Sequence, residues 1–252
     1  MASIIELTTK TKLFSSLIQQ LSGFTPNIRV SVYPEMCVID AINDSRTSLT
    51  KVKLSKDWFD KYITSTNISL IINTNILYKI LNALATDSLI KLSLSTCDLV
   101  IEGKSLHSDV TYTIPSLVVE FPVLDIPEDL EYSADISMNS KTFCSILEHL
   151  LIIGEDCSLH INEDSMLFTT SGDFGSTKVD LTIDDLNSYV VEENIDLELD
   201  FQLKLLHLVS LSYKSSDVLD MHIDKDKPLV VQYNMEHDSY IRFMIAPKIK
   251  DD

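Results

Sequence analysis

Glycine is scarce in this 252-residue chain, with 5 residues: Gly23, Gly103, Gly154, Gly172 and Gly175. These positions cannot spell GxGxxG, GxxxxGK[ST] or GxSxG. A dinucleotide fingerprint, a Walker-type phosphate loop and a nucleophile elbow are therefore excluded. No apolar run approaches the roughly 18 residues of a membrane span. The stretch Met1–Lys10 lacks an apolar core behind basic residues, so the chain is expected to be neither secreted nor membrane-spanning. Cys37, Cys97, Cys144 and Cys157 form no CxxC pair and have mostly apolar neighbours, which predicts core thiols in a reducing compartment. The six His (His107, His149, His160, His207, His222, His237) show no HxxxH or HExxH spacing. Acid pairs at Glu155-Asp156, Glu163-Asp164, Asp184-Asp185 and Glu192-Glu193 lie between strand-like runs and read as solvated turns. Trp58 and the other aromatics fall on apolar positions and read as core. No catalytic residue, metal ligand or cofactor is expected.

What the chain does have is a repeat. Most segments alternate apolar and polar with period two, as in Arg29–Tyr33, Leu89–Leu94, Cys157–Ile161, Val218–Ile223 and Leu229–Tyr233, which predicts half-buried antiparallel strands. Four segments carry helical period instead: Thr8–Ser22, Asn73–Leu84, Asn139–Leu151 and Phe201–Tyr213, with Thr8, Asn73, Asn139 and Asp200 as N-caps. Phe14-Ser-Ser-Leu-Ile-Gln-Gln-Leu21 superimposes on Phe143-Cys-Ser-Ile-Leu-Glu-His-Leu150 at an offset of 129. Lys51-Val-Lys-Leu54 falls on Lys178-Val-Asp-Leu181, and Ile68-Ser-Leu70 on Ile195-Asp-Leu197, both at 127. The chain reads as an α+β unit written twice, each copy with two helices and several antiparallel strands. Residues 1–114 and 129–252 are the two domains, and 115–128, holding Pro115, Pro122 and Pro127 among Leu and Val, is an extended apolar connector.

Charge is unevenly shared. The formal net charge is −18, which taken whole argues against a nucleic-acid partner. Residues 1–126 contribute only −1 of it, and residues 127–252 contribute −17. The four helical segments hold a single acid, Glu148, and retain Lys10, Lys12, Lys79, Lys141 and Lys204, with His149 and His207 beside them. They are net +4 inside a chain that is otherwise net −22. Glu is a good helix former, so its avoidance on polar helix faces needs a reason. One is that all four faces, with Lys214 just beyond the last, look at a polyanion through a few sequence-independent phosphate contacts. The plain alternative is that Ser, Asn and Gln simply fill solvated faces.

The C-terminal run Asp226-Lys-Pro-Leu-Val-Val-Gln-Tyr with Tyr240-Ile-Arg-Phe-Met-Ile-Ala-Pro-Lys-Ile resembles the signature of eukaryotic proliferating cell nuclear antigen, the sliding DNA clamp. Ile126-Pro-Glu-Asp-Leu-Glu-Tyr resembles the end of that family's interdomain connector, Phe168-Thr-Thr-Ser-Gly-Asp-Phe-Gly its second-domain hairpin, and Ala41-Ile-Asn-Asp-Ser-Arg the first-domain counterpart. The likeness runs the length of the chain. It implies a duplicated DNA-clamp fold and a ring-forming homotrimer, with double-stranded DNA threaded past the helices. The resemblance makes Lys10, Lys12, Lys79, Lys141, His149, Lys204 and Lys214 DNA-facing. It joins Val110-Thr111-Tyr112 of one subunit to Ser176-Thr177-Lys178-Val179 of the next, with Leu150 nearby. It implies a pocket for short partner motifs built from Ile42, Arg46, Thr47 and Leu49. Leu124, Ile126 and Pro127 join from the connector, and Pro228, Met244, Ala246, Pro247 and Ile249 from the second domain. DNA polymerase and a clamp loader are the implied partners, with no membrane and no cofactor, in the nucleus or a viral replication compartment. Departures from the family pattern are Ser145 and Glu148 on the third helix, Asn82 on the second, Arg46 and Met244 in the pocket, and Glu163-Asp164 in a loop that elsewhere carries a modified Lys. The alternatives are a subunit of a heterotrimeric checkpoint-type clamp and, from another class, a metal-dependent nuclease.

Overall fold

The computed structural model describes residues 3–7, 10–64, 66–84, 89–104, 109–122 and 130–249. They pack as two compact units, residues 1–124 with 235–241 and residues 125–234 with 242–252.

The first unit opens with β1 (Ser3–Leu7), α1 (Thr11–Phe24), β2 (Asn27–Val32), β3 (Met36–Ile42), β4 (Ser48–Ser55), a 3-10 turn at Lys56–Trp58, β5 (Lys61–Ile63) and β6 (Ile68–Asn73). It continues with α2 (Thr74–Leu84), β7 (Leu89–Leu94), β8 (Asp98–Lys104) and β9 (Asp109–Pro115). The second half repeats that order: β10 (Ala134–Asn139), α3 (Ser140–Leu151), β11 (Asp156–Asn162), β12 (Ser165–Gly172), β13 (Gly175–Thr182), a 3-10 turn at Ile183–Asp185, β14 (Ser188–Val191) and β15 (Asp196–Gln202). Then come α4 (Leu203–Ser210), a 3-10 turn at Leu211–Lys214, β16 (Val218–Ile223), β17 (Leu229–Met235) and β18 (Ser239–Ile245). The pairings repeat as well. Strands run β5-β1-β7-β8-β9 and β4-β3-β2-β6 in one copy, β14-β10-β16-β17-β18 and β13-β12-β11-β15 in the other. This is a duplicated α+β fold with two helices laid on antiparallel sheets in each copy.

The helices form where their apolar stripe can be buried. In α1 the inward side chains are Phe14, Leu17, Ile18 and Leu21, and in α3 they are Phe143, Ile146, Leu147 and Leu150, the same positions of the repeat. Asn73 and Asn139 act as the expected caps, each accepting at 3.0 Å from a backbone N–H three residues on, Ile76 and Thr142. Asp200 does not. It lies within β15, and α4 starts later, at Leu203, whose N–H donates to the Glu155 carbonyl at 2.8 Å. The matching bond in the first copy runs from the Thr74 N–H to the Pro26 carbonyl, also 2.8 Å. Thr8 lies outside the described residues, and α1 begins after Lys10.

Each copy also carries a tyrosine that ties down its hairpin. The Tyr62 hydroxyl lies 2.7 Å and 2.6 Å from the carbonyls of Tyr33 and Met36, which share its proton. Tyr189 does the same for Asn162 and Ser165 at 2.6 Å and 2.8 Å. Three of the four cysteines are buried, and burial pushes the thiols of Cys37 and Cys157 up to about 12. Cys97 is the exception to the sequence reading: it sits exposed in the turn between β7 and β8. No described helix is long and apolar enough to cross a membrane.

The connector begins as a hydrogen-bonded segment of the first unit. Ser116 N–H donates to the Cys97 carbonyl and Leu117 N–H to the Ile71 carbonyl, while the Ser116 hydroxyl accepts from the Ile71 N–H. Further on, the Arg29 guanidinium, forked onto Asp40, lies 5.0 Å from the centre of the Phe121 ring.

Candidate nucleic-acid interface

Burying one stripe of each helix turns the opposite face to solvent. On α1 that face carries Lys12, Ser16 and Gln19; on α2, Asn75, Lys79 and Asn82; on α3, Lys141, Ser145, Glu148 and His149; on α4, Lys204. None of the four helices has an acid in its first turn, the place where the helix dipole most favours one. Among the described residues no ion pair engages Lys12, Lys79, Lys141 or Lys204, whereas Lys56, Lys61, Lys91, Lys178, Lys227 and Lys248 are each paired with a carboxylate. The helix faces therefore hold cations whose charge is not already spent. Lys214 is exposed in the 3-10 turn after α4, 5.8 Å from the Tyr213 ring centre. Lys10 differs: it precedes α1, is half-buried, and its ammonium pairs with Glu236 at 2.5 Å.

The expected assembly segments lie on bare edges. β9, with Val110, Thr111 and Tyr112, is the outermost strand of its sheet, and β13, with Ser176, Thr177, Lys178 and Val179, is the outermost strand of its own. Leu150 is not at a surface. Its position in the α3 stripe puts it in the core of its unit, fully buried, and the apolar side chain left outside at that helix end is Ile152, 75 % exposed. Beside β9 an apolar hollow of about 290 Å³ is lined by Ile76, Ile80, Tyr112, Ile114 and Leu117.

The expected partner pocket is only partly assembled. Ile42 and Arg46 line one hollow of about 210 Å³ in the first unit, with Pro26, Val119, Phe121 and Pro122. Arg46 sits at φ +55, a left-handed conformation uncommon outside glycine, at the tip of the β3–β4 hairpin. Thr47 and Leu49 are not in that lining. The Thr47 hydroxyl is held by the Asn43 side-chain amide at 3.0 Å, and Leu49 is half-buried in β4. Leu124, Ile126 and Pro127 lie outside the described residues. Met244 lies in β18 and is buried, while Pro228 and Pro247 are half-buried and Ala246 is exposed. Ile249 lines a hollow of about 820 Å³ in the second unit with Lys248, Asp156, Phe174 and Thr177. Two of the scarce glycines shape that hollow. A Cβ on Gly154 would lie 2.0 Å from the Thr170 hydroxyl, and one on Gly172 2.1 Å from the Ile153 carbonyl.

The proliferating cell nuclear antigen N-terminal domain model matches residues 6–110, and the C-terminal domain model matches residues 125–248. The chain belongs to the proliferating cell nuclear antigen family. It is 29% identical over 224 residues to the proliferating cell nuclear antigen of Chaetomium thermophilum, covering 85% of this chain and 86% of that protein. In fold it is similar to a chain of the PCNA2–PCNA3 complex of Sulfolobus tokodaii, with a TM-score of 0.85 at 19% identity over 97% of this chain and 99% of that one. The fold is that of a PCNA-type sliding clamp, a family of scaffolds without an enzymatic centre. The helix faces singled out in the sequence are exposed, and the two expected joining segments lie on outermost strands. Sequence reasoning missed Ile152, which differs from Leu150 only by lying beyond the last buried turn, and the connector residues Val119 and Phe121 of the first hollow.

Proposed function

We propose that this chain encircles duplex DNA as a closed homotrimer and serves as a DNA polymerase processivity factor and docking platform, without catalysing a reaction. The observation that carries this is the cleared helix face: four helices whose solvent side keeps a single acid and lysines with no ion pair among the described residues, in a protein of net charge −18. A ring that cannot leave DNA sideways needs little affinity. A few lysines touching phosphates hold the duplex in register with the hole while leaving it free to slide, and the acidic remainder repels DNA from the outside.

The two bare edges support the ring. β9 and β13 are each the outermost strand of a sheet. Pairing β9 of one chain with β13 of the next would give each edge a partner strand. Such a head-to-tail contact makes a ring where its rotation closes, and closure after three steps gives the proposed trimer. Ile152, at the α3 end beside β13, would then fill the apolar hollow by β9. Partner proteins with short apolar motifs would dock in the first unit over Ile42, Arg46, Val119 and Phe121. The site of action would be the nucleus or a viral replication compartment.

A linear duplex fixed to a bead at one end tests the reading. Protein threaded onto it should be retained in high salt only when the free end is then blocked, and light scattering should give three times 28.4 kDa. Retention indifferent to the block, or a persistent monomer, would overturn it. A second reading is a mixed ring, favoured by one observation: the Sulfolobus tokodaii chain belongs to a complex of two different clamp proteins. A monomer that threads only after a second clamp chain is added would select it.

A further inference from the structure

Glu148, the one acid on the four helices, does not stand alone. It follows Cys144 by one helical turn on α3, so the two side chains share a face. The Cys144 thiol donates to Glu148 Oε1 at 3.9 Å. His207 comes in from α4, and one ligand atom from each of the three residues lies within 4.8 Å of the others. Cys144 is buried, His207 half-buried and Glu148 exposed, so the cluster opens from the helix pair toward solvent.

The duplication supplies an internal control. In the structure α2 and α4 align at 129, not 127, because the matching Thr74–Pro26 and Leu203–Glu155 bonds differ by that number, and the same three places in the first copy hold Ser15, Gln19 and Tyr78. The helix pair packs there without a thiol, a carboxylate or an imidazole, so the fold does not require them. All three ligand types appear together in one copy only.

We infer that Cys144, Glu148 and His207 form a site for a divalent zinc-like cation, with a fourth position open to solvent. One sulfur, one nitrogen and one oxygen suit the borderline character of Zn²⁺ and its tetrahedral preference, and an oxygen-seeking ion such as Mg²⁺ would not choose a thiolate. Cys144 binds as thiolate, and its proton leaves to solvent. The charges then cancel: two negative ligands offset the two positive charges of the ion. Metal binding thereby removes the only net negative charge on the four helix faces.

Cobalt(II) is the probe, added to the full chain after chelation and dialysis. The expected result is thiolate-to-cobalt charge-transfer absorption with tetrahedral ligand-field bands, saturating at one ion per chain and displaced by Zn²⁺. His207→Asn alters a half-exposed side chain and should keep the fold by circular dichroism, while weakening cobalt binding by at least about 10–100-fold. Cys144→Ala should abolish the charge-transfer band, and Cys97→Ser, which removes the exposed thiol, should leave it intact. No charge-transfer band in the parent chain, a band that survives His207→Asn at full affinity, or one lost in Cys97→Ser would overturn the site. The outcome is independent of whether the chain encircles DNA.

Discussion

Ser48–Ser55 and Gly175–Thr182 are the same strand written twice, yet only one of them is covered. In β4 the inward side chains Val52 and Leu54 are fully buried, and the strand end is tied to residues 239–241 of the same unit. The Ser55 N–H donates to the Ser239 hydroxyl at 2.9 Å, and the Lys53 ammonium lies 5.7 Å from the centre of the Tyr240 ring. In β13 the counterpart Val179 is half-exposed, and most of its strand faces solvent. β9 and β18 differ in the same sense: β18 is buried along most of its length and β9 is not. A duplicated sequence has thus left one satisfied edge and one pair of unsatisfied edges. Open edges of this kind invite another strand, and natural proteins seldom leave them bare without a use.

The largest effect should come from spoiling the bare pair while leaving the covered one alone. Ile152→Asp or Tyr112→Asp places a carboxylate in the apolar contact proposed beside β9, and burying an unpaired charge costs several kcal/mol. Each variant should run as a monomer by light scattering, with an unchanged far-ultraviolet spectrum. An unchanged mass would mean that β9 and β13 are not the joining edges.

The second comparison is between lysines with partners and lysines without. Replacing Lys12, Lys79, Lys141 and Lys204 with Ala should strip the helix faces of their free charge. The slope of log affinity against log salt should flatten by about 0.9 for each phosphate left without its lysine, roughly 3–4 in all. The same number of replacements at the ion-paired Lys56, Lys61, Lys91 and Lys227 should leave the slope where it was. Equal effects from both sets would mean that DNA senses only total charge, and that the helix faces are not special.

Much of this was legible in the sequence because it is periodic. Alternation of two gave the strands, the apolar stripe gave the helices, and offsets of 127 and 129 gave the duplication. The missing acids are a compositional fact that needs no structure. What escaped was pairwise and non-local. Cys144 and Glu148 are four apart on one helix, but His207 reaches them only because α3 and α4 pack side by side. Asp200 has the chemistry of an N-cap, yet the Glu155 carbonyl takes the bond that would have defined the helix start. Leu150 and Ile152 are equally apolar on paper, and a turn of helix decides which one is surface.

A smaller effect tests how alike the two copies are. Tyr62 and Tyr189 each serve two carbonyls of equivalent hairpins, so Tyr62→Phe and Tyr189→Phe should each cost about 1–3 kcal/mol in denaturant unfolding, by leaving part-buried acceptors short of a donor. The two losses should match. A large difference would show that one hairpin is held by something beyond its tyrosine.

The smallest effect concerns Lys10, a cation near the helix faces that already has a partner. Its ammonium, through a hydrogen bond and then its charge, holds the Glu236 carboxyl below the usual carboxylate range. Because that pKa is lowered on folding, the stability the pair contributes is present above the ordinary carboxylate range and is lost as the pH falls through the lowered value. Both groups are accessible to water, so the contribution is small. Glu236→Gln should release Lys10 toward DNA and raise retention at neutral pH by at most about twofold, one added phosphate contact at moderate salt. The gain should close as the pH drops below the lowered Glu236 value, because protonating the parent carboxyl removes the same negative charge. A gain that persisted in acid would have to come from a contact other than the Lys10 pair, and Lys10 would then leave the set of DNA-facing residues.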